Sequence, residues 1–165
     1  MNLSMLDAFF NMQYKGNMWF DGPAISDHPE FEKYKNAFPV IHLDLGNTKA
    51  DTYEGFIDGM RRAVGMCFEP HRYLLEREDL DSSARSLFDS LKNKSASEDD
   101  LIGSVLTLSM ALTDEFGVKP IILIDEYDAA VSDAFGSESH KQMMSFLRSM
   151  MYASVKGNPY REMVY

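Results

Sequence analysis

Cysteine is nearly absent from this sequence, because Cys67 is the one cysteine among 165 residues. A single thiol excludes an internal disulfide framework and is typical of a reducing compartment, so we expect a cytoplasmic location. Cys67 lies within an apolar helical pattern. That position indicates a buried packing residue rather than a reactive nucleophile.

Basic residues and long apolar runs are also scarce. The 16 Lys and Arg residues are outnumbered by 26 Asp and Glu, for a net charge of -10. Proteins bind the phosphates of nucleic acids with basic surfaces, so this composition argues against a nucleic-acid partner. No apolar run approaches the roughly 20 residues of a membrane span, and no basic segment followed by an apolar one opens the chain. We therefore expect no membrane association and no signal peptide.

The most informative stretch that is present runs from Lys119 to Asp128. Four consecutive aliphatic residues, Ile121 to Ile124, follow Pro120 and precede two carboxylates. Such a run, bounded by proline and by charges, predicts a buried strand of a parallel sheet at about residues 120–125. Ligand sites in these sheets lie beyond the carboxyl ends of the strands, where Asp125 and Glu126 would stand.

Four apolar residues followed by Asp-Glu form the Walker B pattern of P-loop ATPases. An aspartate at the tip of a rigid strand, here Asp125, can hold Mg2+ beside a nucleotide phosphate. The next carboxylate, Glu126, can orient or deprotonate an attacking water. The alternative interpretation is a strand that simply ends in a solvated acidic loop.

A second strand is predicted over residues 39–45, and Arg161–Tyr165 indicates the opening of a third. His42 and Asp44 share one face of the second strand by alternation. We interpret them as locally bonded polar residues near the end of a strand, rather than as a catalytic pair. Trp19, in the loop-rich segment before this strand, is interpreted as an anchor in the core.

Helical patterns fill most of the remaining chain. A box-like start at Asp51-Thr52-Tyr53-Glu54 opens a helix that Pro70 should end. Ser97 to Asp100 opens a second, with Gly117 placed to terminate it. Further helices are predicted at the following positions: residues 2–12, a short one within 30–36, 82–91, a turn at 129–134, and 140–156. Helices placed between strands favour a layered α/β domain.

Three blocks then resemble a known family. Asn2-Leu3-Ser4-Met5-Leu6 with Phe9-Phe10, the segment Phe38 to Asp44, and Ile121 to Asp128 are similar, in order and spacing, to the AAA-ATPase-like family of predicted prokaryotic P-loop ATPases. The resemblance covers essentially the whole chain. It implies an AAA-like P-loop NTPase fold that binds ATP and Mg2+, with Asp125 on the metal and Glu126 on the attacking water. It also implies that Asp128 supports this loop or the residues that bind the metal.

The same resemblance implies an incomplete domain. In the family, the first block follows the Gly-Lys-Ser/Thr of the phosphate-binding loop, but none of the ten glycines here is followed by lysine. We therefore expect residues 1–165 to form a single partial domain that lacks the Walker A strand and loop and the later strands. ATP hydrolysis by this chain alone is then not expected, since the phosphates have no cradle.

Two other functions stay open at this point. The chain could be an interaction module from a split or degenerate ATPase, with an open sheet edge that another protein chain or an N-terminal segment completes. It could instead be a metal-dependent hydrolase in its own right that uses Asp125, Glu126, Asp128, His42 and Asp44. No second motif with fixed ligand spacing supports the hydrolase.

Overall fold

The computed structural model describes residues 3–22, 24–127 and 138–165. Within these ranges, helices and strands alternate along the chain. The strands are β1 (Val40–Asp44), β2 (Ile121–Asp125) and β3 (Met163–Val164). The α-helices are α1 (Leu3–Phe10), α2 (Phe31–Tyr34), α3 (Tyr53–Phe68), α4 (Ser82–Lys92), α5 (Glu98–Phe116) and α6 (Glu138–Met151). Short 3-10 helices cover Met12–Tyr14, Ala24–Asp27 and Glu69–Glu76, and a π-helical turn covers Tyr152–Lys156.

The described strands form one parallel sheet in the order β1-β2-β3. Val40 lies opposite Ile121, and Asp44 lies opposite Asp125 at the other end of the pair. This arrangement confirms the predicted α/β class and the strands expected near residues 39–45, 120–125 and 161–165. Because the strands are parallel, all their carboxyl ends lie at one rim of the sheet.

The two faces of the sheet pack into separate apolar clusters. Ile41, Leu43 and Ile122 point into the larger one, which α3, α4, α5 and α6 cover. Ile121 and Leu123 point the other way, onto a smaller cluster that includes Phe9 and Phe10 of α1. The alternation of side chains along each strand produces this division, and the result is three layers.

Local signals account for most of the helix boundaries. Ser97 and Asp100 form a reciprocal capping box at the start of α5, and Gly117 ends that helix with a positive φ of 66°. Both match the prediction. At α3, however, the cap is Thr52, whose side chain accepts from the Gly55 amide, so the predicted start at Asp51 was one residue early. The α-helix ends at Phe68, just ahead of Pro70, as expected.

Three expectations need correction or fall outside the described residues. Trp19 is 62% exposed, and its ring lies tilted against that of Tyr14 with the centroids 5.5 Å apart, so it is not the predicted core anchor. The predicted helix over 140–156 begins at Glu138 and turns π-helical after Met151. The turn predicted at 129–134 falls outside the described residues. In the described ranges, helices long and apolar enough to cross a membrane are absent.

Candidate functional site at the carboxyl rim of the sheet

Two carboxylates stand side by side where β1 and β2 end. Asp44 and Asp125 are partners in the strand register, and neighbouring strands are about 4.8 Å apart. The chain leaving β1 stays attached, since the Leu45 amide donates to the Asp125 carbonyl at 3.0 Å. Asp125 is half-buried and Asp44 is exposed. The parallel register therefore places Asp125, which the sequence predicted as a site residue, beside Asp44. The sequence had placed Asp44 only on the same strand face as His42.

Glu126 has an unusual backbone conformation. Its φ of 56° is left-handed, a region that residues other than glycine seldom adopt. The Asp125 Oδ1 atom accepts a hydrogen bond from the Glu126 amide at 3.0 Å, which helps to hold this turn. Such conformations cost on the order of 1–3 kcal/mol and concentrate at functional sites. The turn sends the exposed Glu126 side chain away from the direction that a continuing strand would give it.

The turn after β1 supports Glu126. The Gly46 amide donates to Asp44 Oδ1 at 2.8 Å. A methyl group built on Gly46 would lie 3.2 Å from Asp44 Oδ1 and 3.4 Å from the Cγ atom of Glu126. Glu126 thus packs directly against the Gly46 turn, and three acids gather at one place. The sequence Asp44-Leu45-Gly46 was the available signal for this turn. The contact between the turn and Glu126 could not be predicted from the sequence, because the two are far apart along the chain.

The side chains of this cluster offer carboxylate oxygens, the kind of ligand that a hard cation prefers. Three neighbouring carboxylates repel one another, and a divalent cation with oxygen ligands relieves that repulsion. The donor set is therefore suited to Mg2+. Among the described residues, however, no group of three or more His, Cys, Asp or Glu side chains already has the geometry to hold a metal. Asp128, the predicted supporting residue, lies outside the described part of the chain.

Helix α1 runs away from this rim, so that its carboxyl end lies near the opposite end of the sheet. Just after its carboxyl end, Asn11 forms a parallel bridge with Phe38, ahead of the amino end of β1. The helix packs over β1 and β2. Its amino end is therefore directed to the other end of the strands, where Asp44 and Asp125 lie. Helix amino ends carry partial positive charge and unpaired N–H groups, which favour anions such as phosphate.

His42 lies near the acid cluster and lines one cleft together with Asp44. It shares a face with Asp44, as predicted, but the structure contains no hydrogen bond between them among the described contacts. Its Nε2 atom is buried without a hydrogen-bond partner there. This differs from the expected locally bonded histidine. His42 lines a cleft of about 520 Å³ along the outer edge of β1, together with His71 and Cys67.

His71 is a residue that sequence reasoning missed. It is 3% exposed, its ring bonds to the backbone of Val40, and its Nδ1 atom has no partner in the described chain. Burial lowers the pKa of His71 to about 4, so the ring is neutral. Cys67 is 5% exposed, and burial raises the pKa of its thiol to about 12. The prediction of an inert, buried Cys67 is confirmed.

A family model described as a predicted AAA-ATPase matches residues 1–164. No curated protein and no solved structure matches the chain. The family match spans all three motif blocks and the three described strands.

Proposed function

The chain belongs to the AAA-ATPase-like family of predicted ATPases, and from this premise we propose that it carries the carboxylate half of a Mg2+-dependent ATP site. The observation that carries the proposal is the meeting of Asp44, Asp125 and Glu126 at the carboxyl rim of the sheet. Asp125, with Asp44 beside it, would hold Mg2+, and the ion would supply positive charge against the charge of the nucleotide phosphates. The fold proposed for the whole domain is accordingly that of a P-loop NTPase.

Asp125 is the proposed metal-binding residue. It ends β2, which is flanked on both sides by other strands, so its backbone is held firmly. Mg2+ demands strict octahedral geometry. A half-buried carboxylate on a rigid strand suits it better than a carboxylate on a loop would. Asp44, on the neighbouring strand, adds negative charge close by and would strengthen the attraction for the cation.

Glu126 is the proposed residue that positions and deprotonates the attacking water. Its exposed carboxylate stands next to the metal-binding residue, and its left-handed backbone holds it against the Gly46 turn. A general base needs a fixed position within hydrogen-bond reach of the water. The cost of the left-handed conformation is consistent with a side chain whose direction matters more than local stability.

The phosphate-binding half of such a site is not encoded within these 165 residues. A glycine followed by lysine occurs nowhere in the sequence. The loop normally supplies backbone N–H groups and a lysine to the phosphates, each contact being worth roughly 1.5–3 kcal/mol. We therefore expect this chain by itself to bind ATP more weakly than about 1 mM and to hydrolyse it negligibly.

The test is metal binding by the purified chain, with Mn2+ as a spectroscopic substitute for Mg2+. Asp125→Asn should weaken Mn2+ binding at least about tenfold, equivalent to about 1.4 kcal/mol. The matched control is Asp114→Asn, an exposed acid in the last turn of α5, which leads to the opposite end of β2. Equal Mn2+ affinity in wild type and Asp125→Asn would refute the metal role. Micromolar ATP affinity that Asp125→Ala abolishes would refute only the expectation of weak ATP binding.

A second candidate function, a module that pairs with another chain, rests on the sheet edge. Among the described strands, β3 pairs with β2 alone. Tyr165 N and O both bond to β2, so by alternation the backbone groups of Val164 face away from it. Unpaired edge groups are a template for a further strand. The stand-alone hydrolase has no comparable observation in its favour.

A further inference from the structure

The helical side of the molecule carries a groove whose charge is opposite to that of the chain. It has a volume of about 510 Å³ and lies between α3, the 3-10 helix Glu69–Glu76 and α4. Its lining contains five basic residues and two acidic ones, in a chain whose net charge is -10. The basic residues are Arg61, Arg62, Arg72, Lys92 and Lys94, and the acids are Glu69 and Asp89. The groove is therefore a local positive site on an acidic protein.

Three of these cations are available to a ligand. Arg72 pairs with Glu69 at 3.2 Å, and Arg61 pairs with Asp58 at 2.6 Å. The other three, Arg62, Lys92 and Lys94, are exposed and form no ion pair with any residue in the described ranges. Their positive charges are therefore not engaged in ion pairs within the described ranges and can meet the charge of a ligand.

The floor of the groove is apolar. The rings of Phe68 and Phe88 meet edge to face at 5.0 Å beneath it, and Leu91 lies beside them. Met66 stands at the rim and is 73% exposed. An exposed methionine next to an aromatic floor is typical of surfaces that accept apolar side chains of different shapes. The groove thus combines a deformable apolar contact with fixed positive charge.

We propose that this groove binds an acidic amphipathic peptide segment of a protein partner. Such a segment would lay its apolar side chains on Met66 and the floor and place its carboxylates near Arg62, Lys92 and Lys94. A nucleic acid is the weaker fit, because a phosphate backbone offers no aliphatic side chains to pack on Met66 and the apolar floor. The groove lies on α3 and α4, and Arg62 and Met66 also line the neighbouring cleft that contains His42 and Asp44. Peptide binding there does not depend on the proposed ATP function.

Fluorescence anisotropy of a synthetic peptide tests the charge requirement. The probe is a fluorescein-labelled helix of about 16 residues with Leu at i, i+3, i+4 and i+7 spacing and Glu elsewhere. Arg62→Glu/Lys92→Glu/Lys94→Glu should weaken binding at least about tenfold. The control Lys15→Glu/Lys49→Glu/Lys119→Glu makes the same change in net charge at exposed sites outside the groove, and should weaken binding by less than about threefold. Circular dichroism checks that each variant is folded.

A second pair of variants tests the apolar requirement. Met66→Ser should weaken peptide binding about fivefold, while Met18→Ser, at a site that is 76% exposed elsewhere, should leave it unchanged. No binding by wild type, or equal loss in both charge variants, would overturn the proposal. An unlabelled DNA oligonucleotide that competes as well as the peptide, with no effect of Met66→Ser, would overturn it in favour of phosphate binding.

Discussion

Among single residues, His71 has the clearest measurable effect on how stability depends on pH. Protonation of this neutral, buried imidazole, which bonds to β1, would destabilise the folded state, because a buried charge has no water to solvate it. His71 also lines the cleft that contains His42. Its ring therefore links the pH of the solution to the packing of the outer edge of the sheet.

We predict that stability falls as pH is lowered from about 6.5 to 4. The pKa of His71 is about 4 when folded, against 6.5 for an ordinary histidine, so in this window the unfolded chain binds more protons. The loss attributable to His71 is up to about 3 kcal/mol. Urea unfolding at pH 7 and pH 4.5 measures it. The pH dependence should be shallower in His71→Gln and unchanged in His28→Gln, which alters an exposed ring. Parallel curves for all three proteins would contradict the assignment.

At the scale of elements, α3 depends on close approach to the turn after β1. Gly59 lies in the middle of α3, and a methyl group there would be 2.8 Å from the Cα atom of Thr48. Thr48 is itself buried, and its hydroxyl donates to the Leu45 carbonyl. The glycine thus allows the helix to rest on the backbone that leads away from Asp44.

Two glycine substitutions should therefore change stability in opposite directions. Gly59→Ala should destabilise the protein by about 1–3 kcal/mol, because backbone must move to admit the methyl group. Gly103→Ala, in α5, meets nothing within 4 Å and should stabilise by about 0.5–1 kcal/mol through helix propensity. Chemical unfolding of both variants checks the pair. Equal effects would mean that α3 does not contact the Thr48 backbone as described.

Helix α5 gives a prediction about its capping box. Ser97 accepts from the Asp100 amide at 3.1 Å, and the Asp100 side chain accepts from the Ser97 amide at 2.8 Å. Ser97→Ala should cost about 1 kcal/mol of unfolding free energy. Ser86→Ala, an exposed change within α4, is the control and should be neutral or slightly stabilising. A neutral Ser97→Ala would show that tertiary packing alone holds the start of α5.

At the scale of the whole molecule, the open edge of β3 predicts self-association. Wild type should sediment faster as concentration rises, because the outward backbone groups of Val164 pair with no strand in the described part of the chain. Val164→Pro removes the N–H donor at that edge and should restore a monomer. Val164→Ala makes a similar loss of packing but keeps the donor, and should still associate. A wild-type monomer at all concentrations in analytical ultracentrifugation would rule out the edge as an interaction surface.

Much of the fold was determined by short stretches of sequence. The apolar run Ile121–Ile124 predicted β2, Ser97 and Gly117 marked the ends of α5, and Pro70 marked the end of α3. These signals work because a strand, a cap or a helix stop depends on residues that are close in sequence. The α/β class followed from the order of such elements. The candidate residues Asp125 and Glu126 were named for the same reason, since they directly follow a predicted strand.

Only the tertiary structure decided which distant residues meet. The pairing of Asp44 with Asp125, the left-handed turn at Glu126 and the burial of His71 each depend on segments far apart in sequence. The exposure of Trp19 and the basic groove between α3 and α4 are of the same kind. Local patterns carry no record of strand register or of which helix faces come together. Those are set by the packing of the whole chain, where small differences between large opposing energies select one arrangement.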